Sequence, residues 1–180
     1  MIDQAKASIL ASEAFDQWQA GRHEQARLLY EEALSLADPQ HFALAQVYGQ
    51  YACVLNALGR HEQACTALET ASKTEIAQGY AEGSPPVIVA RYFLADQQLR
   101  LGQTETALET LAPSILQAPD NWLTRFEEAC ILHALGRKPE ARQAAAVAVA
   151  HAPTPKKAEE LRQRLGEMFG RDGDDTAIDG

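Results

Sequence analysis

The hexapeptide Gly-Arg-His-Glu-Gln-Ala occupies residues 21–26 and returns unchanged at 59–64, 38 positions further on. A period of this length marks a stacked supersecondary unit, so it restricts the fold before composition is consulted. Two looser copies follow, Gly-Gln-Thr-Glu-Thr-Ala at 102–107 and Gly-Arg-Lys-Pro-Glu-Ala at 136–141. Four glycines, Gly21, Gly59, Gly102 and Gly136, therefore recur at spacings of 38, 43 and 34 residues.

Each glycine follows a stretch of helical character, such as Val-Leu-Asn-Ala-Leu before Gly59. A helix commonly closes with a residue at positive φ, which costs glycine least, and the chain can then start a second helix running back. Five residues after each glycine stands an alanine: Ala26, Ala64, Ala107 and Ala141. A small side chain there lets two antiparallel helices approach. The same helical face continues through Tyr30, Leu68, Leu111 and Ala145, then Ala33, Ala71, Ser114 and Ala148.

Asp38-Pro39, Ser84-Pro85 and Thr154-Pro155 read as helix starts, each a capping side chain before proline at the first helical position. The pattern predicts nine helices, at 4–20, 23–37, 40–58, 61–78, 85–101, 104–117, 121–135, 138–151 and 155–169. Residues 79–86 form the one substantial loop, and Pro113 is expected to kink or break its helix.

These features resemble the tetratricopeptide repeat family, whose pattern sets Leu-Gly-x-x-Tyr before Ala-x-x-x-Phe and a closing Pro. Tyr48, Tyr51, Ala52, Leu55, Ala64 and Leu68 carry the best match. The first-helix half departs from the pattern at Glu13, Gln17, Arg91, Gln98, Arg125 and Glu128, polar where apolar residues are usual. The resemblance implies an all-α fold, a right-handed helical-hairpin solenoid with a C-terminal capping helix. Residues 1–169 would form one array, with repeats at about 4–38, 39–84, 85–119 and 120–153, the cap at 155–169, and a disordered acidic tail at 170–180.

The chemistry of other classes is missing from the sequence. His23 and His61 each precede a Glu, but the second His of HExxH is replaced by Arg27 and Cys65. Cys130 and His133 share a helix without a completing ligand pair, and the three cysteines form no CxxC. No GxSxG, Walker or GxGxxG motif occurs. The reading is of no enzyme, no cofactor and no metal. A net charge of −9 argues against a nucleic-acid partner. The absence of a leader-like start or a long apolar run argues against a membrane one, so a cytoplasmic setting is expected.

What remains is a protein or peptide partner. In the family, first helices line an inner groove, and the resemblance assigns to it Phe15, Trp18, Gln19, Gln46, Gln50, Cys53, Asn56, Tyr92, Phe93, Asp96, Arg100, Phe126, Cys130 and His133. Only Arg100 and Asn56 match the family's carboxylate clamp, so an adaptor or chaperone holding an apolar-anchored segment is expected. The alternatives are an inhibitor or immunity-type protein masking a basic partner, and a self-associating scaffold, a homodimer among its forms.

Overall fold

The computed structural model describes residues 2–170, which fall into two compact units divided after Gln103. The first contains α1 (Gln4–Gln19), α2 (His23–Leu36), α3 (Leu44–Ala57), α4 (His61–Ala77) and α5 (Pro85–Arg100). The second contains α6 (Thr104–Gln117), α7 (Trp122–Ala134), α8 (Lys138–Ala150) and α9 (Pro155–Gly170). The described residues form nine helices and no strand. The tail expected at 170–180 lies outside the described residues except for Gly170, which ends α9.

Two helix starts differ from expectation. At α5 Pro85 opens the helix, but Ser84 makes no side-chain cap bond. Asp38-Pro39 does not open α3, which begins at Leu44. The Asp38 carboxylate accepts from the Gln40 N–H at 2.9 Å, and the Asp38 carbonyl accepts from His41 N–H at 3.0 Å. A second turn follows, with Leu44 N–H donating to the His41 carbonyl at 3.0 Å. Asp38 thus caps a turn instead of a helix, and Phe42 is left 78% exposed. Thr154 behaves as expected, accepting from Lys157 N–H at 3.1 Å. Pro113 is carried inside α6 without a break.

The elbows obey the glycine argument. Gly21, Gly59, Gly102 and Gly136 all have φ between 72° and 75°. At the second elbow Gly59 N–H donates to the Asn56 carbonyl at 3.0 Å and Arg60 N–H to the Leu55 carbonyl at 2.8 Å. This crossed pair satisfies the last carbonyls of α3 and requires a left-handed residue at the glycine. Gly79, at φ 88°, closes α4 in the same way, an elbow missed because no Ala-bearing copy follows it. A Cβ at Gly59 would meet nothing within 4 Å, so Gly59→Ala isolates the backbone cost. It should lower stability by about 1–2 kcal/mol in urea denaturation.

The repeated small residues are buried. Ala26, Ala64, Ala107 and Ala141 are each 0% exposed, and the positions four and seven residues further on are buried too, from Tyr30 at 0% to Ala145 at 7%. In the first unit Ala14, Ala26, Tyr30 and Val54 form one cluster. Ala52, Leu55, Ala64, Cys65, Ala67, Leu68 and Leu94 form the next.

The polar departures in first helices are accommodated singly. Arg91 is buried and ion-paired with Glu82 of the loop before α5. Arg125 pairs with Glu128 at 2.7 Å and donates to the Pro119 carbonyl at 2.5 Å. Gln17 accepts from Arg22, and Glu13 is exposed. Buried polar groups survive where such partners exist.

Candidate interaction site

Within the first unit α3 and α5 flank a hollow of about 290 Å³, with Leu68 and Ala71 of α4 in its lining. Its form follows from side-chain size. Ala45, Gly49 and Ala52 on α3 and Ala90 on α5 leave the space open, while Val89 and Phe93 border it on α5. Val89 and Phe93 stand one helical turn apart and remain 42% and 49% exposed, an apolar stripe with no cover. A second hollow of about 140 Å³ lies between α1 and α3, with Ala7, Ala11, Ala33, Leu44 and Val47 in its lining.

Polar atoms around the larger hollow come mainly from carboxamides: Gln46, Gln50, Asn56 and Gln97. Tyr30 Oη donates to Gln50 Oε1 at 3.3 Å, and Asn56 Oδ1 lies 3.1 Å from His61 Nδ1. Gln97 Nε2 donates to the His61 carbonyl at 3.4 Å. These bonds hold the side chains in place along the wall. Asp96, the only carboxylate lining the hollow, is paired with Arg100 at 2.8 Å. Cys53 is exposed as a residue, yet burial pushes its thiol above the ordinary range. A neutral, soft, hydrogen-bonding cavity results. It sits at the small end of ligand sites, suited to one or two side chains and too small for a large cofactor.

Of the residues assigned from sequence, Gln46, Gln50, Cys53, Asn56, Phe93 and Asp96 come together here. Arg100 is exposed and reaches the site through Asp96, and Tyr92 is half-buried behind Phe93, ring centroids 5.2 Å apart. Phe15 and Trp18 do not line it. They stack edge-to-face at 5.6 Å, and Trp18 packs on the cluster around Tyr30. Gln19 is exposed near the end of α1.

In the second unit Phe126 is 4% exposed and belongs to the interior, with the Arg164 guanidinium 4.7 Å above its ring. His133 stacks on Phe169 of α9 at 5.4 Å, and Cys130 is half-buried. The capping helix therefore covers part of the α7 face that the resemblance assigned to a groove.

Sequence reasoning missed Val89, Ala90 and Gln97. The i, i+4 pair Val89 and Phe93 was the available signal. It was obscured because α5 carries further apolar residues, Val87, Ile88, Leu94 and Ala95, that are buried elsewhere on the helix. Among the described residues no group of three or more His, Cys, Asp or Glu side chains is placed to hold a metal. None of the described helices is long and apolar enough to cross a membrane.

Models described as tetratricopeptide repeat match residues 45–74, covering α3 and most of α4, and residues 88–113, covering most of α5 and α6. The chain carries tetratricopeptide repeats at these residues. No curated protein matches it.

Among solved structures, BtubC from P. vanneervenii is 20% identical with a TM-score of 0.71, over 94% of this chain and 83% of that one. MamA from Desulfovibrio magneticus RS-1 is 19% identical with a TM-score of 0.69, over 93% and 85%. A tetratricopeptide repeat protein from Parabacteroides merdae is 14% identical with a TM-score of 0.70, over 93% and 61%. At these identities the likeness shows the fold, a tetratricopeptide-type solenoid of helical hairpins. With such repeats the chain is a protein–protein interaction module.

Proposed function

We propose that this chain is a non-catalytic adaptor or chaperone that holds an extended partner segment across the hollow between α3 and α5. The observation that carries this reading is the uncovered pair Val89 and Phe93 beside a neutral cavity with a carboxamide wall. An aliphatic anchor would fill the space, and Gln46 and Gln50 would pair with the partner's backbone. They stand four residues apart on α3, about 6 Å along the axis. Two residues of an extended chain advance a similar distance, about 6.6–6.8 Å.

Both α5 residues are half-exposed, so removing them spares the core. The double variant Val89→Ala, Phe93→Ala should keep wild-type helicity and unfolding. It should lose partner affinity by about 2 kcal/mol or more, as truncating a central apolar anchor does. Unchanged affinity, measured by calorimetry on the co-purified partner, would refute the assignment.

The net charge of −9 supports one competing reading, a charge-driven mask for a basic partner. Binding through the hollow should change little as ionic strength rises, whereas charge-driven masking should weaken steeply.

A further inference from the structure

We infer a second docking surface, in the second unit, that receives an amphipathic helix of a partner protein. The observation is a difference between equivalent places in the repeat. In the first unit long polar side chains bridge α2 to α3 and to the elbow before α4. Arg27 bonds Glu24 at 2.7 Å and Glu31 at 2.6 Å, Tyr51 Oη donates to Glu31 at 2.8 Å, and Arg60 bonds Glu24 at 2.9 Å.

Arg27 and Glu31 stand six and ten residues after their elbow glycine; in the third repeat those positions hold Leu108 and Ala112. Tyr51 stands eight residues before its glycine and Arg60 one after; in the fourth repeat those positions hold Glu128 and Arg137. The long charged pair is thus replaced by a leucine and an alanine. The groove between α6 and α8 is left open, with a volume of about 510 Å³.

The chemistry of this groove specifies its occupant. Leu108, Ala112, Ile115 and Leu116 follow one another along α6 at i, i+4, i+7 and i+8, a continuous helical stripe, and Leu116 is 77% exposed. Ala144 and Val147 face them from α8. The ionisable groups in the lining are closed on themselves, Arg125 with Glu128 at 2.7 Å and Arg137 with Glu140 at 2.8 Å. A charge carried in by a partner would be desolvated without a counter-ion, so the inserted face is apolar and uncharged.

Gln143 is the only carboxamide in the lining, so a segment with unsatisfied backbone groups has little to bond to. A helix brings its own backbone bonds, and its side-chain ridges can seat between those of α6. This surface shares no residue with the hollow between α3 and α5 and stands independently of the function proposed there.

The test uses the full chain and a phage-displayed library of random 16-residue peptides. The counter-target is Leu108→Arg, Ala112→Glu, which restores the residue types that form the bridges in the first unit. Binders enriched on the wild type should show apolar residues at i, i+3, i+4 and i+7 with uncharged anchors, and should bind the double variant at least tenfold more weakly. Leu116→Asp, at a side chain too exposed to unsettle the fold, should weaken them as well and keeps the test valid if the double variant unfolds.

A library that yields no binder, binders lacking the helical spacing, or binders indifferent to both variants would overturn the proposal. Sedimentation of the protein alone supplies the remaining outcome. A wild-type dimer that becomes monomeric on Leu108→Arg, Ala112→Glu would assign the groove to a second copy and also overturn it.

Discussion

Truncating Tyr30 to Ala should destabilise the protein by about 3–5 kcal/mol. The ring is 0% exposed and packs with Ala14, Ala26 and Val54, where α1, α2 and α3 meet. Its fully buried neighbours in that cluster are small or β-branched, so none of these can swing in to fill the space. Urea unfolding should show a lower midpoint with an unchanged slope. Tyr30→Phe is the control, because it keeps the ring and removes only the 3.3 Å bond to Gln50, costing about 1 kcal/mol.

The same residue gives the alkaline behaviour of the fold its sign. Burial pushes the Tyr30 phenol up to about 12 from an ordinary 10.0, with Cys53 adding to it, and burial together with the Glu31 hydrogen bond pushes Tyr51 up to about 12. Above pH 10 the unfolded chain releases these protons and the folded chain does not. Their contribution is therefore complete below pH 10 and is lost as pH rises towards 12. Tyr30 and Tyr51 should ionise late in a spectrophotometric titration, and Tyr30→Phe should flatten the pH dependence.

Ala64→Leu should cost about 1–3 kcal/mol through overpacking. Ala64 lies one turn into α4, 0% exposed, in the cluster with Ala52, Leu55 and Leu68. Additional methylenes there must push α3 and α4 apart or force strained rotamers. The adjacent Gln63 is exposed, and Gln63→Leu should change stability by less than about 0.5 kcal/mol. Equal effects from the two substitutions would remove the reason given for the repeated alanine.

The hairpins were legible because their determinants are local. A glycine at positive φ and an alanine five residues later act within one elbow, and the chain states them four times. Helix ends followed to within a residue or two, apart from α3, where Asp38 had two uses open to it and satisfied a turn. The interaction face was harder to read because it depends on helix rotation, which tertiary contacts decide. Phe126 shows this directly: aromatic and on a first helix, it is buried because Leu161 and Leu165 anchor α9 nearby and Arg164 covers the ring. Trp18 went inward for a similar reason, since α1 turns it toward the cluster around Tyr30. The contrast between Arg27 and Leu108 was present in the sequence, but its meaning needed the bond network that one repeat makes and the other lacks.

Cys53 offers the most direct measurement of the central claim. Its thiol lines the hollow between α3 and α5, while Cys65 is buried in the core and Cys130 lies in the other unit. Alkylation of Cys53, followed by peptide mass spectrometry at mildly alkaline pH, should slow at least tenfold when the co-purified partner is bound. An unchanged rate at saturating partner would show that the partner sits elsewhere and would contradict the account.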